Sequence, residues 1–188
     1  MENVLLMSAN KVRTLTSISD NISDKYLFAA INESQEVVLR SLLGDNLLDT
    51  LKSLVKSGDI EKGENAKYKD LIERCSFMLA YTAVSKLCVI LSYKMDNTGV
   101  YKTRDENVDA ASIDEVKNMQ QYYEDQAGNF RLQIVNYLLK NQSDYPELLD
   151  NDVNAISSNL YSAENCGIVL GGARGKGRLR NVKSYVGK

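Results

Sequence analysis

The 188-residue chain has no histidine, one proline and three cysteines, and its last 23 residues contain no Asp or Glu. Without histidine the commonest general base is missing, and with it the Ser–His and Cys–His nucleophile pairs. Carboxylate-only or metal-dependent chemistry survives that exclusion. The acids, however, are scattered over helix surfaces and loops, as with Glu33, Glu36, Glu61, Glu64, Asp105 and Glu106, and solvation accounts for them. No catalytic, cofactor-binding or metal-binding residue is therefore expected. The scarcity of proline fits a mainly helical body, with Pro146 ending its last periodic segment. Cys75, Cys88 and Cys166 form no CxxC pair, and the first two lie in an apolar helical pattern where a thiol acts as a small hydrophobe. A reduced, intracellular origin fits this usage. The N-terminal MENVLLMSANKVRTL lacks the basic flank and long apolar stretch of an export signal.

Charge is distributed unevenly. Residues 1–165 hold 17 basic and 25 acidic side chains, a formal −8, whereas Cys166–Lys188 carries six Lys or Arg, a formal +6. The chain reads as an acidic body with a basic arm, long enough for one domain and short for two. One segment, Cys75–Tyr93, approaches the length of a membrane span. It contains Lys86 and four Ser or Thr, and a lysine at mid-bilayer costs roughly 2.5–3.5 kcal/mol, so a buried bundle helix is expected and no membrane.

Periodicity predicts a bundle of about four helices with an extended N-terminal lead-in and a long C-terminal arm. The divisions fall at residues 1–22, 23–150 and 151–188. In the lead-in, Val12, Thr14, Thr16 and Ile18 alternate with polar residues, which predicts extended chain. Ser23 is a plausible N-cap for a helix facing Leu27, Ile31, Ser34, Val38 and Leu42 inward, with Gly44 ending it in left-handed geometry. Asp45 caps a short second helix on Leu47, Leu48, Leu51, Leu54 and Val55, stopping at Gly58. The third runs from about Asn65 to Met95 and holds the densest apolar run. Asp96-Asn97-Thr98-Gly99 is a turn, followed by an exposed loop over Val100–Ala111. A capping box, Ser112-Ile113-Asp114-Glu115, opens the fourth helix on an a/d seam of Val116, Met119, Tyr123, Ala127, Phe130, Ile134 and Tyr137.

Two tempting motifs fail. The string Gly171–Gly177 resembles a phosphate-binding loop, but Leu170 stands where its first glycine belongs and Gly177 where its Ser or Thr should be. Asp150, Asp152 and Asn154 copy half a calcium loop, yet Ala155 and Tyr161 replace the glycine and the bidentate glutamate.

The arm is the candidate partner-binding element. A solvating tail accounts for its Gly and Lys enrichment. Its apolar residues Ile168, Val169, Leu170, Leu179 and Tyr185 instead fit a segment that docks on protein, while Arg174, Lys176, Arg178, Arg180 and Lys183 suit acidic protein surface or phosphate.

The stretch ISDKYLFAAINESQEVVLRSLLGDNLLDTLKSLV, then YKDLIERCSFMLAYTAVSKL and the turn NTGV, resembles the helical head-to-tail connector (adaptor or neck) proteins of tailed bacteriophages, notably the crAss-like phages of Bacteroides-type hosts. The matching positions are Ala30, Ile31, Gln35, Leu42, Leu43, Gly44, Leu48, Tyr68, Leu71, Leu79, Tyr81 and Gly99, over roughly residues 20–145. The resemblance implies a virion structural protein made in the host cytoplasm. It would form a homo-oligomeric ring, of twelve copies, at the head–tail junction, between the portal protein and further neck or tail proteins around the DNA channel. The arm would then dock on acidic portal surface or touch channel DNA. An alternative from another class is a nucleic-acid-binding or DNA-packaging accessory protein whose arm grips phosphate.

Overall fold

A computed structural model describes residues 4–97, 99–102 and 111–148. The described chain is mainly helical, as the sequence predicts: α1 (Ala9–Leu15), α2 (Asp24–Glu33), a π-helical segment (Ser34–Leu39), α3 (Arg40–Leu43), α4 (Asp45–Ser57), α5 (Ala66–Ser92), β1 (Tyr93–Asp96), β2 (Gly99–Lys102) and α6 (Ile113–Lys140). Short 3-10 turns link α4 to α5 and follow α6.

The lead-in corrects the first expectation. Its middle is helix, capped by Ser8, whose Oγ accepts a hydrogen bond from the Lys11 N–H at 3.2 Å. Val12 and Ala9 point into the core, and the Thr14 and Thr16 hydroxyls donate back to the carbonyls of Asn10 and Val12. Back-bonding of this kind lets β-branched Thr14 sit in the helix and Thr16 close its end, so alternation of Val and Thr did not signify a strand. Arg13 Nη2 donates to the Ile22 carbonyl at 2.7 Å and pairs with Asp24, fixing the link to α2.

From Asp24 to Leu43 the chain is one helical rod interrupted by the π segment. A π turn accommodates one extra residue and shifts the register of everything beyond it. The predicted inward Val38 is accordingly only half-buried and Val37 is 59% exposed, while Leu39 takes the core position with no exposure. The rod ends at Gly44, with φ 79° and ψ 170°. This is the glycine-only extended region rather than the left-handed helical one expected. Gly44 also occupies the N-cap of α4, so Asp45 begins that helix instead of capping it; α4 stops at Gly58 as predicted, and it is this glycine, with φ 77° and ψ 2°, that takes the left-handed conformation expected at Gly44.

α5 is the central helix and buries thirteen residues, from Tyr68 to Leu87. It passes a length-and-composition test for a membrane span, but 56% of its most apolar stretch is buried inside the bundle, so the core uses that hydrophobicity. It stops at Ser92, short of the predicted Met95. Tyr93 turns extended and β1 pairs antiparallel with β2, placing Asp96 opposite Gly99 across a two-residue connection. The turn was predicted; the hairpin it closes replaces the start of the expected open loop. The Ser112 capping box forms as predicted, with the Glu115 N–H donating to Ser112 Oγ at 3.2 Å and the Ser112 N–H to Glu115 Oε2 at 2.6 Å. α6 then lies back along α5. It ends at Lys140, six residues before Pro146 begins a final 3-10 turn, Pro146–Leu148, so the helix stops ahead of the proline expected to end it.

Candidate functional site

The ten arm residues expected to bind a partner, Ile168, Val169, Leu170, Arg174, Lys176, Arg178, Leu179, Arg180, Lys183 and Tyr185, lie outside the described residues, as do Cys166 and the Asp150–Asn154 string. Within the described residues, the surfaces able to receive a partner are set by how α5 and α6 pair.

An aromatic ladder joins the two helices at mid-length. Phe77 stacks on Phe130 with ring centroids 5.3 Å apart, Tyr81 sits 5.4 Å from Phe130 and 5.9 Å from Tyr123, and Tyr122 meets Tyr123 edge-on. Such contacts hold a helix pair in register and add about 0.5–1.5 kcal/mol per ring pair beyond burial.

At the end where α1 and α2 connect, the ladder gives way to an apolar groove of about 350 Å³. Its walls are Ile18 and Ile22 from the link, Leu87, Cys88 and Leu91 from α5, and Met119 and Tyr123 from α6. Leu91 and Met119 are 37% and 53% exposed, and Ile113, Tyr122 and Val89 are exposed in the helices that form it. Met119 belongs to the predicted seam, but no described element covers it; the seam residues Ala127 and Ile134 further along are buried. Burial raises the Cys88 thiol above its ordinary range, and the fully buried Cys75 is pushed up to about 12, so both behave as apolar groups at neutral pH.

The opposite end of α5 anchors the close of the described chain. Tyr145 is fully buried, its hydroxyl donating to the Lys67 carbonyl at 2.9 Å and lying 3.0 Å from that of Tyr137. The Tyr68 hydroxyl donates to Glu147 at 2.6 Å, and burial followed by that carboxylate pushes the phenol up to about 12. Arg74 lies over the Tyr137 ring while pairing with Asp70. The last described residues therefore lie beside the N-terminus of α5, at the far end from the groove.

A polar centre lies on the π segment. Gln35 is buried with no exposure, and its side chain satisfies two backbone groups of the lead-in: Oε1 accepts from the Leu6 N–H at 2.8 Å and Nε2 donates to the Val4 carbonyl at 2.9 Å. Beside it, burial opposes ionisation of Glu36, but hydrogen bonds from Lys52, Arg40 and Gln35 outweigh that and hold the carboxyl at about 2. Arg40 also bonds Asp45, tying the rod to α4 across Gly44. Every member of this network is engaged by another, which identifies it as a structural joint. Among the described residues, no group of three or more Cys, Asp or Glu is placed to hold a metal ion.

The sequence located the seam without revealing that Met119, one turn beyond the buried Val116, stays uncovered. Ile18 and Ile22, which close the groove from the side, were missed because they sit between helices, Ile18 at the end of an alternation read as extended chain and Ile22 outside any helical period.

No curated protein and no solved structure matches the chain. Residues 39–158, from the close of the π segment through α6 and beyond, match a family of unknown function (DUF6712), and over more than half its length the chain belongs to that family.

Proposed function

We propose that this protein is a virion structural subunit which assembles into a closed ring at the head–tail junction of a tailed phage. Its partners would be the portal protein and further neck or tail proteins. The observation that carries the reading is the division of labour in one small chain. A rigid helical body leaves an apolar groove uncovered on its α5–α6 pair, and a separate segment of opposite charge combines apolar residues with six cations. Closed rings are built from heterologous contacts, in which one surface of a subunit meets a different surface of the next. A body with a groove and an arm supplies two such surfaces. The polar joint around Glu36 and the aromatic ladder supply the rigidity that a repeated contact angle requires.

The test is mass measurement of the purified protein, alone and mixed with its portal. A ring of twelve 21.0 kDa subunits has a mass of about 250 kDa. Removal of residues 166–188 is expected to abolish the ring or its capture by portal. A protein that remains a single subunit under both conditions would refute the proposal. Salt separates it from the nucleic-acid reading: phosphate binding by six cations falls by about 10³-fold or more between 50 and 200 mM salt, and docking through apolar groups persists.

A further inference from the structure

We infer that the segment Cys166–Leu170 packs into the α5–α6 groove of its own subunit, with Ile168, Val169 and Leu170 against Leu91, Met119 and Tyr123 and the cations that follow laid along the acidic half of α6. The inference concerns the isolated subunit and stands whether or not the protein forms a ring.

Three observations carry it. The first is chemical fit. The groove is walled mainly by Ile, Leu, Met, Val, Cys, Ala and Tyr side chains, with Ser92 and Glu115 at its edge as the polar exceptions. Of the segments outside the described residues, 103–110 reads TRDENVDA and is too polar to fill it, whereas Ile168-Val169-Leu170 is the longest unbroken apolar run in 149–188. Burying three such side chains returns them, and the groove lining, from water.

The second is charge. Residues 113–125 of α6 hold Asp114, Glu115, Glu124 and Asp125 against a single Lys117. Glu124 and Asp125 accept hydrogen bonds from the neutral amides of Gln120 and Gln121 at 2.8 Å, partners that leave the negative charge in place. Arg174, Lys176, Arg178 and Arg180 follow Leu170 within ten residues, so a seated triad brings them to that surface.

The third is reach. The described chain ends at Leu148, one residue past Glu147, which is bonded to Tyr68, and Cys88 in the groove is twenty residues further along the same helix, about 30 Å at 1.5 Å per residue. The seventeen residues 149–165 have a root-mean-square span of about 23 Å as a flexible chain and extend to about 56 Å. A linker whose natural span is close to the gap gives an effective concentration in the millimolar range. At the micromolar concentrations of a free subunit, the chain's own groove therefore outcompetes a neighbour's. The seated arm covers the body's apolar patch, and any partner that takes the arm must displace it.

The native cysteines provide the test. Cys88 lines the groove, Cys166 lies two residues before Ile168, and Cys75, 1% exposed, is an internal control. A disulfide needs the two Cα atoms within about 7 Å. Diamide breaks the two S–H bonds, takes up both hydrogens to become the hydrazine, and leaves one S–S bond. The dilute full-length protein is expected to give a Cys88–Cys166 link within one chain, about tenfold faster than in urea, with Ile168→Asp plus Leu170→Asp returning the rate to the unfolded level. Links between chains, or no folded-state enhancement, overturn the inference. Independently, deletion of 166–188 is expected to speed amide exchange over residues 113–119 about tenfold; unchanged exchange there also overturns it.

Discussion

Gln35 offers the sharpest check on the physical account of the body. Replacing it with alanine removes the acceptor of the Leu6 N–H and the donor to the Val4 carbonyl, and empties space in a site with no solvent exposure. A buried polar group left without a partner costs about 1–3 kcal/mol. Leu6 is 8% exposed, so its N–H bears that penalty, whereas half-buried Val4 regains water for its carbonyl. With the lost packing of the amide stem, Gln35→Ala is expected to destabilise by about 2–4 kcal/mol, a large part of the 5–15 kcal/mol typical of a domain. Urea unfolding followed by circular dichroism measures it, and amide exchange at Leu6 is expected to accelerate before global unfolding does. Gln35→Glu sharpens the argument. The introduced carboxylate still accepts from Leu6 but cannot donate to Val4, and Glu36 Oε1 already lies 3.2 Å from the amide nitrogen. Burial and that neighbouring charge raise the new group's folded pKa above its unfolded value of about 4.3. Relative to the parent, the variant is therefore least impaired below about pH 4, where protonation restores a donor, and worst above its folded pKa. A Gln35→Ala variant within about 0.5 kcal/mol of the parent, or a Gln35→Glu deficit independent of pH, would refute the reasoning.

Three further outcomes follow from the same geometry. Gly44→Ala forces a side chain into φ 79°, ψ 170° and is expected to lower stability by about 1–3 kcal/mol in a urea titration; a neutral result would contradict the positive-φ joint. Glu36 is held at about 2 against an ordinary 4.5, a depressed folded value, so its contribution is present above pH 4.5 and lost as pH falls from there towards 2. With the side chain 31% exposed, that contribution is about 1–3 kcal/mol, and Glu36→Gln should flatten the acid limb of the stability profile. Tyr145→Phe removes a hydroxyl that links Lys67 and Tyr137 and should cost about 1–2 kcal/mol by thermal unfolding, with no effect refuting its anchoring role.

How far the sequence reveals this fold depends on where the ordering information resides. α4 and α6 are written in local signals: Gly58 supplies a left-handed stop, Ser112 and Glu115 a reciprocal cap, and neither needs a tertiary partner to be recognised. α1 was misread because the Thr14 and Thr16 hydroxyls satisfy helix carbonyls, a choice that a Val/Thr pattern does not disclose. The π segment is less legible still. Its register shift exchanges Val38 for Leu39, and the buried Gln35 there is selected by two backbone groups some thirty residues earlier, at Val4 and Leu6. A polar residue with partners that remote looks like a break in the apolar stripe.

The same reasoning explains why the groove exists. An a/d seam records which positions of a helix face apolar neighbours, but it does not say which chain segment those neighbours belong to. On α6 the seam is continuous from Val116 to Tyr137, and α5 lies beside it as far as the hairpin, yet Met119 remains 53% exposed. Packing of α5 and α6 alone leaves room at that end, and Ile18 and Ile22 close one side only. One further apolar segment would complete the layer. The chain holds one such run, Ile168-Val169-Leu170, connected by enough residues to span the length of α5 and followed by cations suited to the acids of α6. The acidic body and the basic arm, which look like separate features along the sequence, then become the two faces of one contact. Assembly with other subunits or with portal must compete with that contact, so the strength of the arm's own seat sets the concentration at which a ring begins to form.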